Sequence, residues 1–114
     1  MPPFTFDGQV YHNPVELALD IIGGKWKMPI LWRLAKRGWR YGELRRDLHG
    51  VTHKMLTQQL RELEAAGLLT RTVHAVVPPR VDYAITPLGR STLPAIEALR
   101  AWGVAYRRAR GGAK

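Results

Sequence analysis

Residues 42–67 read GELRRDLHGVTHKMLTQQLRELEAAG, and this stretch decides the fold. Leu44 and Leu48 stand four apart, the spacing of a short amphipathic helix over about 42–48. His49-Gly50-Val51 makes a tight turn. Thr52 is a good N-cap for a second helix over about 53–66, and Gly67 stands where a left-handed residue stops one. Helix, tight turn and helix together make a helix-turn-helix over about 42–66.

The second helix has two unlike sides. At about 100° per residue, with Leu56 as origin, Leu60 falls at about 40° and Leu63 at about 340°, so these three define the core side. On the same wheel Thr57 falls at about 100°, Arg61 at about 140°, Lys54 at about 160° and Gln58 at about 200°. The outer side thus offers two cations, an amide and a hydroxyl. A DNA major groove is read by such groups: Arg fits the paired acceptors of guanine, Gln fits adenine, and Lys or Thr reaches bases or phosphates. Thr52 and His53 open the same helix and join the candidates. Arg45 and Arg46 on the shorter helix, and Arg40 before it, are placed to touch flanking phosphates.

Downstream the period changes from helical to alternating. Leu69, Arg71, Val73, Ala75 and Val77 share one parity, Pro78-Pro79 breaks the run, and Val81, Tyr83 and Ile85 alternate again. This predicts two antiparallel strands over about 69–86, with Thr70, Thr72 and Asp82 on the polar face. Such a ribbon is a wing. Arg80 follows the two prolines and is a candidate for the minor groove or a phosphate, and His74 is a further candidate for a backbone contact. Thr86-Pro87 then restarts a helix over about 87–108. Its stripe is Leu93, Ile96, Leu99, Trp102 and Tyr106, and Pro94 inside it predicts a bend or an offset start.

Upstream, Asn13-Pro14-Val15-Glu16 is a helix start, with Asn13 as cap and Glu16 at the capping-box position. Val15, Leu17, Ala18, Ile21 and Ile22 give that helix a broad apolar face, which Gly23-Gly24 ends. A further helix over about 25–36 carries Trp26, Ile30, Leu31 and Leu34. Pro29 is tolerable there only if the helix begins near Trp26. Arg40-Tyr41 suggests a very short strand. Residues 1–12 show no helical period and are expected as an extended arm, and residues 111–114 as a basic tail. The expected class is α+β, mainly α: one winged helix-turn-helix domain over 13–110, with a two-stranded wing and dimerisation helices near both ends.

Composition narrows the partners. The 114 residues suffice for one core and not for two. Eighteen Lys and Arg against nine Asp and Glu leave a net charge of +9. A field of that sign favours a polyanion and disfavours carboxylate-driven chemistry. No apolar run approaches the ~18 residues that span a bilayer. No Lys or Arg precedes Lys25, so the basic start of a signal peptide is missing. A soluble cytoplasmic protein without membrane contact is expected.

Several motifs stand in order along the chain: Ile22-Gly23-Gly24-Lys25-Trp26, Glu43-Leu44-Arg45-Arg46, Lys54-Met55-Leu56-Thr57-Gln58-Gln59-Leu60-Arg61-Glu62-Leu63, Val77-Pro78-Pro79-Arg80-Val81-Asp82-Tyr83 and Leu88-Gly89-Arg90. With Asn13-Pro14-Val15-Glu16, they resemble the HxlR-type winged-helix regulators of bacteria over about residues 13–105. The resemblance implies a homodimer that binds operator DNA, with helix 53–66 in the major groove and the ribbon as wing. It implies a dimer interface built from the N-terminal segment and the last helix. The apolar stripes agree, because a core this small does not easily cover them. Val15, Leu17, Ile21, Ile96, Leu99, Trp102 and Tyr106 are the expected interface residues. Many members of the family carry a cysteine just before the Pro-Val-Glu segment. Here that position is Asn13 and the chain has no cysteine, so thiol switching by this chain is excluded chemically.

Other chemistries fit poorly. Gly23-Gly24-Lys25 lacks both the following Ser or Thr and the leading glycine of a phosphate loop. His12, His49, His53 and His74 have no ligand spacing, and Ser91 has no nucleophile-elbow pattern. Glu62 and Glu64 read as surface charges, and the four tryptophans as core or interface anchors. No enzyme activity, metal or cofactor is expected, and an effector, if there is one, is unidentified. The competing reading is a winged-helix module for RNA or a protein partner, without sequence preference on duplex DNA. A small nuclease is the weakest reading.

Overall fold

The structure is a computed structural model that describes residues 2–112; Met1 and the end of the expected basic tail, Ala113 and Lys114, lie outside the described residues. The helix-turn-helix forms as expected. Helix α3 spans Tyr41–Asp47 and α4 spans His53–Ala65. Gly50 between them has φ +89°, a conformation that a side chain would strain. The Thr52 hydroxyl accepts from the Met55 backbone N–H and so caps α4. Gly67 at φ +79° stops it in the left-handed region.

The first helices follow from their caps. Helix α1 spans Pro14–Ile22, and the Asn13 side chain accepts from the Glu16 N–H. Glu16 reaches back one residue further than a standard capping box and takes the His12 N–H at 3.1 Å. Helix α2 spans Lys27–Leu34 with Trp26 at its cap, so Pro29 falls within the first turn, where its missing N–H costs least. Thr86 accepts from the Gly89 N–H and donates to the Gly67 carbonyl at 2.6 Å. One hydroxyl thereby starts α5 (Pro87–Arg90) and ties it to the end of α4. The single helix expected over 87–108 is two: Ser91 and Thr92 intervene, and α6 runs Leu93–Ala109 with Pro94 in its first turn.

Two sheet features go beyond the sequence expectation. The arm is a hairpin, β1 (Phe4–Phe6) against β2 (Gln9–Tyr11). Asp7 and Gly8 both have positive φ, +49° and +77°, the geometry of a two-residue hairpin turn. The ribbon, β4 (Leu69–His74) against β5 (Arg80–Ile85), has a third partner: β3 (Trp39–Arg40) pairs with β5 through Trp39–Tyr83 and Arg40–Asp82. The sheet order is β3-β5-β4, so β5 is central and the wing base is tied to the entry of α3.

The core lies between α2, α3, α4 and the wing base. Ile30, Leu31, Leu44, Leu56, Leu60 and Leu63 are at most 1% exposed, as the helical wheel of α4 requires. Burying each such side chain contributes about 1.5–3 kcal/mol. Leu69 is buried but Val73 is half-exposed, so only the base of the wing packs and its outer half stands free. The root of α6 enters the core at Ile96, 6% exposed, and its far half leaves it. The radius of gyration, 16.2 Å, exceeds the about 13 Å of a compact chain this long.

Candidate nucleic-acid interface

The core face of α4 fixes where its other face points. With Leu56, Leu60 and Leu63 anchored, Lys54, Gln58 and Arg61 are exposed, and Thr57 is half-buried at the edge. The first turn of α4 has no acidic residue, so its amide end is left to attract anions. His53 is held there by Tyr41, whose hydroxyl meets the His53 Nδ1 and lies 3.5 Å from Thr57 Oγ1. This contact ties α3 to α4, and the Arg33–Asp47 ion pair ties α2 to α3.

A cleft of about 940 Å³ opens between α3, α4 and the wing. Arg40, Arg46, His53, Thr57, Arg61 and Arg80, all expected from sequence, line it together. Lys54 and Gln58 lie on the adjoining α4 face, beside His53, Thr57 and Arg61. Thr52 is exposed with its hydroxyl oxygen already engaged by the cap. Arg45 is exposed on α3 but lines neither depression. Arg80 is not at the tip: it is the first residue of β5, opposite His74. Its Nε lies 3.4 Å from Asp82 Oδ1, while His74 Nε2 lies 2.9 Å from Asp82 Oδ2. The Arg80–Asp82 approach lacks hydrogen-bond geometry, and both atoms are buried. The tip itself, Ala75–Pro79, is exposed and apolar.

Sequence reasoning missed Arg71. It is exposed on β4, lines the cleft and stands opposite Tyr83. Burial pushes the Tyr83 hydroxyl up, and the Arg71 guanidinium beside it pulls the other way. The signal was a cation in the run of residues whose other members are apolar. Two acids share the cleft with the five arginines, Glu43 and Glu64. Glu43 takes the Arg40 N–H at 3.0 Å and the Arg37 guanidinium at 3.3 Å, which holds its carboxyl below the usual range. It thus serves the start of α3. Among the described residues no three His, Asp or Glu side chains come together to hold a metal.

The expected interface residues divide. Val15, Leu99, Trp102 and Tyr106 are exposed, with Trp102 and Tyr106 stacked at 5.1 Å between centroids. Leu17 and Ile21 are half-buried. Ile96 is a correction: it packs in the chain's own core on the α2 side, and is not available as surface.

A family model, the HxlR-like helix-turn-helix, matches this chain over residues 21–110. The chain belongs to that family. An HTH-type transcriptional regulator of Bacillus subtilis (strain 168), YtcD, is 48% identical over 93 residues, covering 82% of this chain and 74% of that protein. An uncharacterized HTH-type transcriptional regulator of Methanothermobacter thermautotrophicus is 46% identical, covering 84% of this chain and 73% of that protein. Among solved structures, the redox regulator HypR in its oxidized form superposes with a TM-score of 0.76 at 43% identity, covering 82% of this chain and 96% of that one. This HxlR-like chain is therefore similar to transcriptional regulators, and its class implies DNA binding. The chain has no cysteine. No helix among the described residues is long and apolar enough to cross a membrane.

Proposed function

We propose that the chain is a dimeric, cytoplasmic transcription regulator that binds duplex DNA with sequence preference. Helix α4 enters the major groove, where Gln58 and Arg61 read base edges and Lys54 and Thr57 meet bases or phosphates. Thr52, His53, Arg40, Arg45 and Arg46 bind the flanking backbone, and the wing adds Arg80 and Arg71 across the adjoining groove. The observation that carries this reading is the exposure of Lys54, Gln58 and Arg61 on a helix whose opposite face is locked in the core.

The dimer follows from the far half of α6. Leu99, Trp102 and Tyr106 form an uncovered apolar stripe, and Val15 and Leu19 on α1 are likewise exposed. A second copy covers these faces symmetrically. Two α4 helices then enter successive major grooves about 34 Å apart, on a pseudo-palindromic operator.

Selection of bound sites from a random-sequence duplex pool, followed by footprinting, tests the proposal. An inverted repeat protected on one face of the duplex is expected. Equal binding to all duplex sequences would refute it, and preference for RNA would favour a different class of partner.

A further inference from the structure

The buried charge of this protein sits directly behind its reading face. Lys27, on α2, is the one charged residue of the described chain counted among the buried, at 8% exposure. Its ammonium donates to Glu62 Oε1 at 2.6 Å. The other carboxylate oxygen, Glu62 Oε2, accepts from Gln58 Nε2 at 3.1 Å. Lys27, Glu62 and Gln58 thus form a chain that starts at a buried lysine, passes through a carboxylate whose side chain is 44% exposed, and ends at the exposed Gln58 amide. Nothing in the helix-turn-helix packing alone requires a lysine at the buried end. Replacing both partners of a buried ion pair with apolar side chains of similar volume is often neutral in stability, whereas removing one partner is strongly destabilising.

The chemistry of the middle group has a consequence for the last. An ionised carboxylate only accepts hydrogen bonds. Glu62 therefore turns the NH2 group of Gln58 toward itself and its carbonyl oxygen away. One N–H remains free beside that oxygen. A carbonyl oxygen with an adjacent N–H complements the N6 donor and N7 acceptor of adenine, and it mismatches guanine, which presents two acceptors. A free amide presents either end. One held by a carboxylate that is itself fixed by a buried ammonium presents one.

We propose that Lys27 and Glu62 are positioning residues that hold the Gln58 amide in the orientation that reads adenine. The inference rests on the proposed DNA-reading function and names the base read at one position of each half-site. Glu62 does not touch the base in this arrangement; it acts through Gln58.

Site selection from a random-sequence duplex pool with four proteins tests it: the unaltered chain, Gln58→Ala, Glu62→Gln, and the double variant Lys27→Met/Glu62→Gln. The unaltered chain should select adenine at one position of each half-site, and Gln58→Ala should erase that preference alone. Glu62→Gln should lower the adenine-over-guanine ratio there about tenfold, within the range one bidentate base contact contributes, and leave the other positions as they were. The double variant leaves no unpaired buried charge, so it keeps the test valid if Glu62→Gln unfolds. It should relax the same position. A staple that merely joins α2 to α4 would weaken all positions together or none. The inference falls if a folded variant lacking Glu62 retains the adenine preference, or if the Gln58-dependent position selects another base. If the unaltered chain selects no sequence at all, the DNA-reading function fails, and the positioning role with it.

Discussion

Trp102→Ala separates the dimer from the fold, because this indole lies outside the core. It is 65% exposed in the single chain and stacks on Tyr106. A tryptophan buries about 150–250 Å², so covering the exposed two-thirds removes about 150 Å² from water. At about 25 cal/mol per Å² this is about 4 kcal/mol for each copy. Alanine retains some contact and the closure is imperfect, so about half of that is expected to be lost per copy, near the cost of a typical interface hot spot. The residue occurs twice in a symmetric pair, which gives about 4 kcal/mol in total, or roughly a thousandfold weaker association. Sedimentation equilibrium over a dilution series measures this constant, and the thermal midpoint at low concentration checks that the fold survives. Operator affinity should fall in parallel, since each half-site then binds alone. An unchanged dissociation constant, or an unaltered chain that stays monomeric throughout the series, would refute the assignment of α6 as the dimer helix.

Three other outcomes follow from the geometry. A Cβ on Gly89 would stand 2.1 Å from the Leu68 carbonyl oxygen and 2.7 Å from Ile85 Cγ1, so Gly89→Ala should destabilise by about 1–3 kcal/mol in urea unfolding. Glu43 and Glu62 have carboxyls held below the ordinary glutamate range, Glu43 first by the Arg40 N–H and Glu62 first by Lys27. A depressed folded value means that their contribution is complete above that pH and fades as pH falls through the folded values. Urea midpoints should therefore drop below about pH 4.5, and the Glu43→Gln/Glu62→Gln variant should show a flatter profile. Arg71→Ala should weaken all duplexes alike and reduce the salt slope by about one, read by fluorescence anisotropy across salt concentrations, whereas a change in base preference would place Arg71 among the base readers.

Local signals made most of the architecture legible. Thr52, Asn13 and Thr86 cap helices because each cap acts within three residues, and the α4 wheel holds because its core triad lies on one element. Features that depend on distant chain were not legible. The very short strand suggested at Arg40-Tyr41 is present one residue earlier as β3, but its pairing with β5, some forty positions away, was not legible. Glu62 is exposed, as its reading as a surface charge expects, but its pairing with Lys27 joins residues 35 apart and leaves no local signal. Ile96 and Trp102 share one helical stripe, but the root of α6 is inside the core and its far half is outside, a difference that periodicity does not carry. Asp7-Gly8 did carry a hairpin signal, which the prolines and aromatics around it obscured.

The same split in α6 makes it a lever. From Ile96 to Ala109 the helix advances about 20 Å, so a tilt of about 5° at the root swings the outer end by nearly 2 Å. In the proposed dimer, a modest change of side-chain volume around Ile96 or Leu93 thus becomes a coarse adjustment of how far apart the two copies hold their α4 helices. Operator spacing in such a dimer is therefore tunable at the fulcrum, many residues from the side chains proposed to meet DNA.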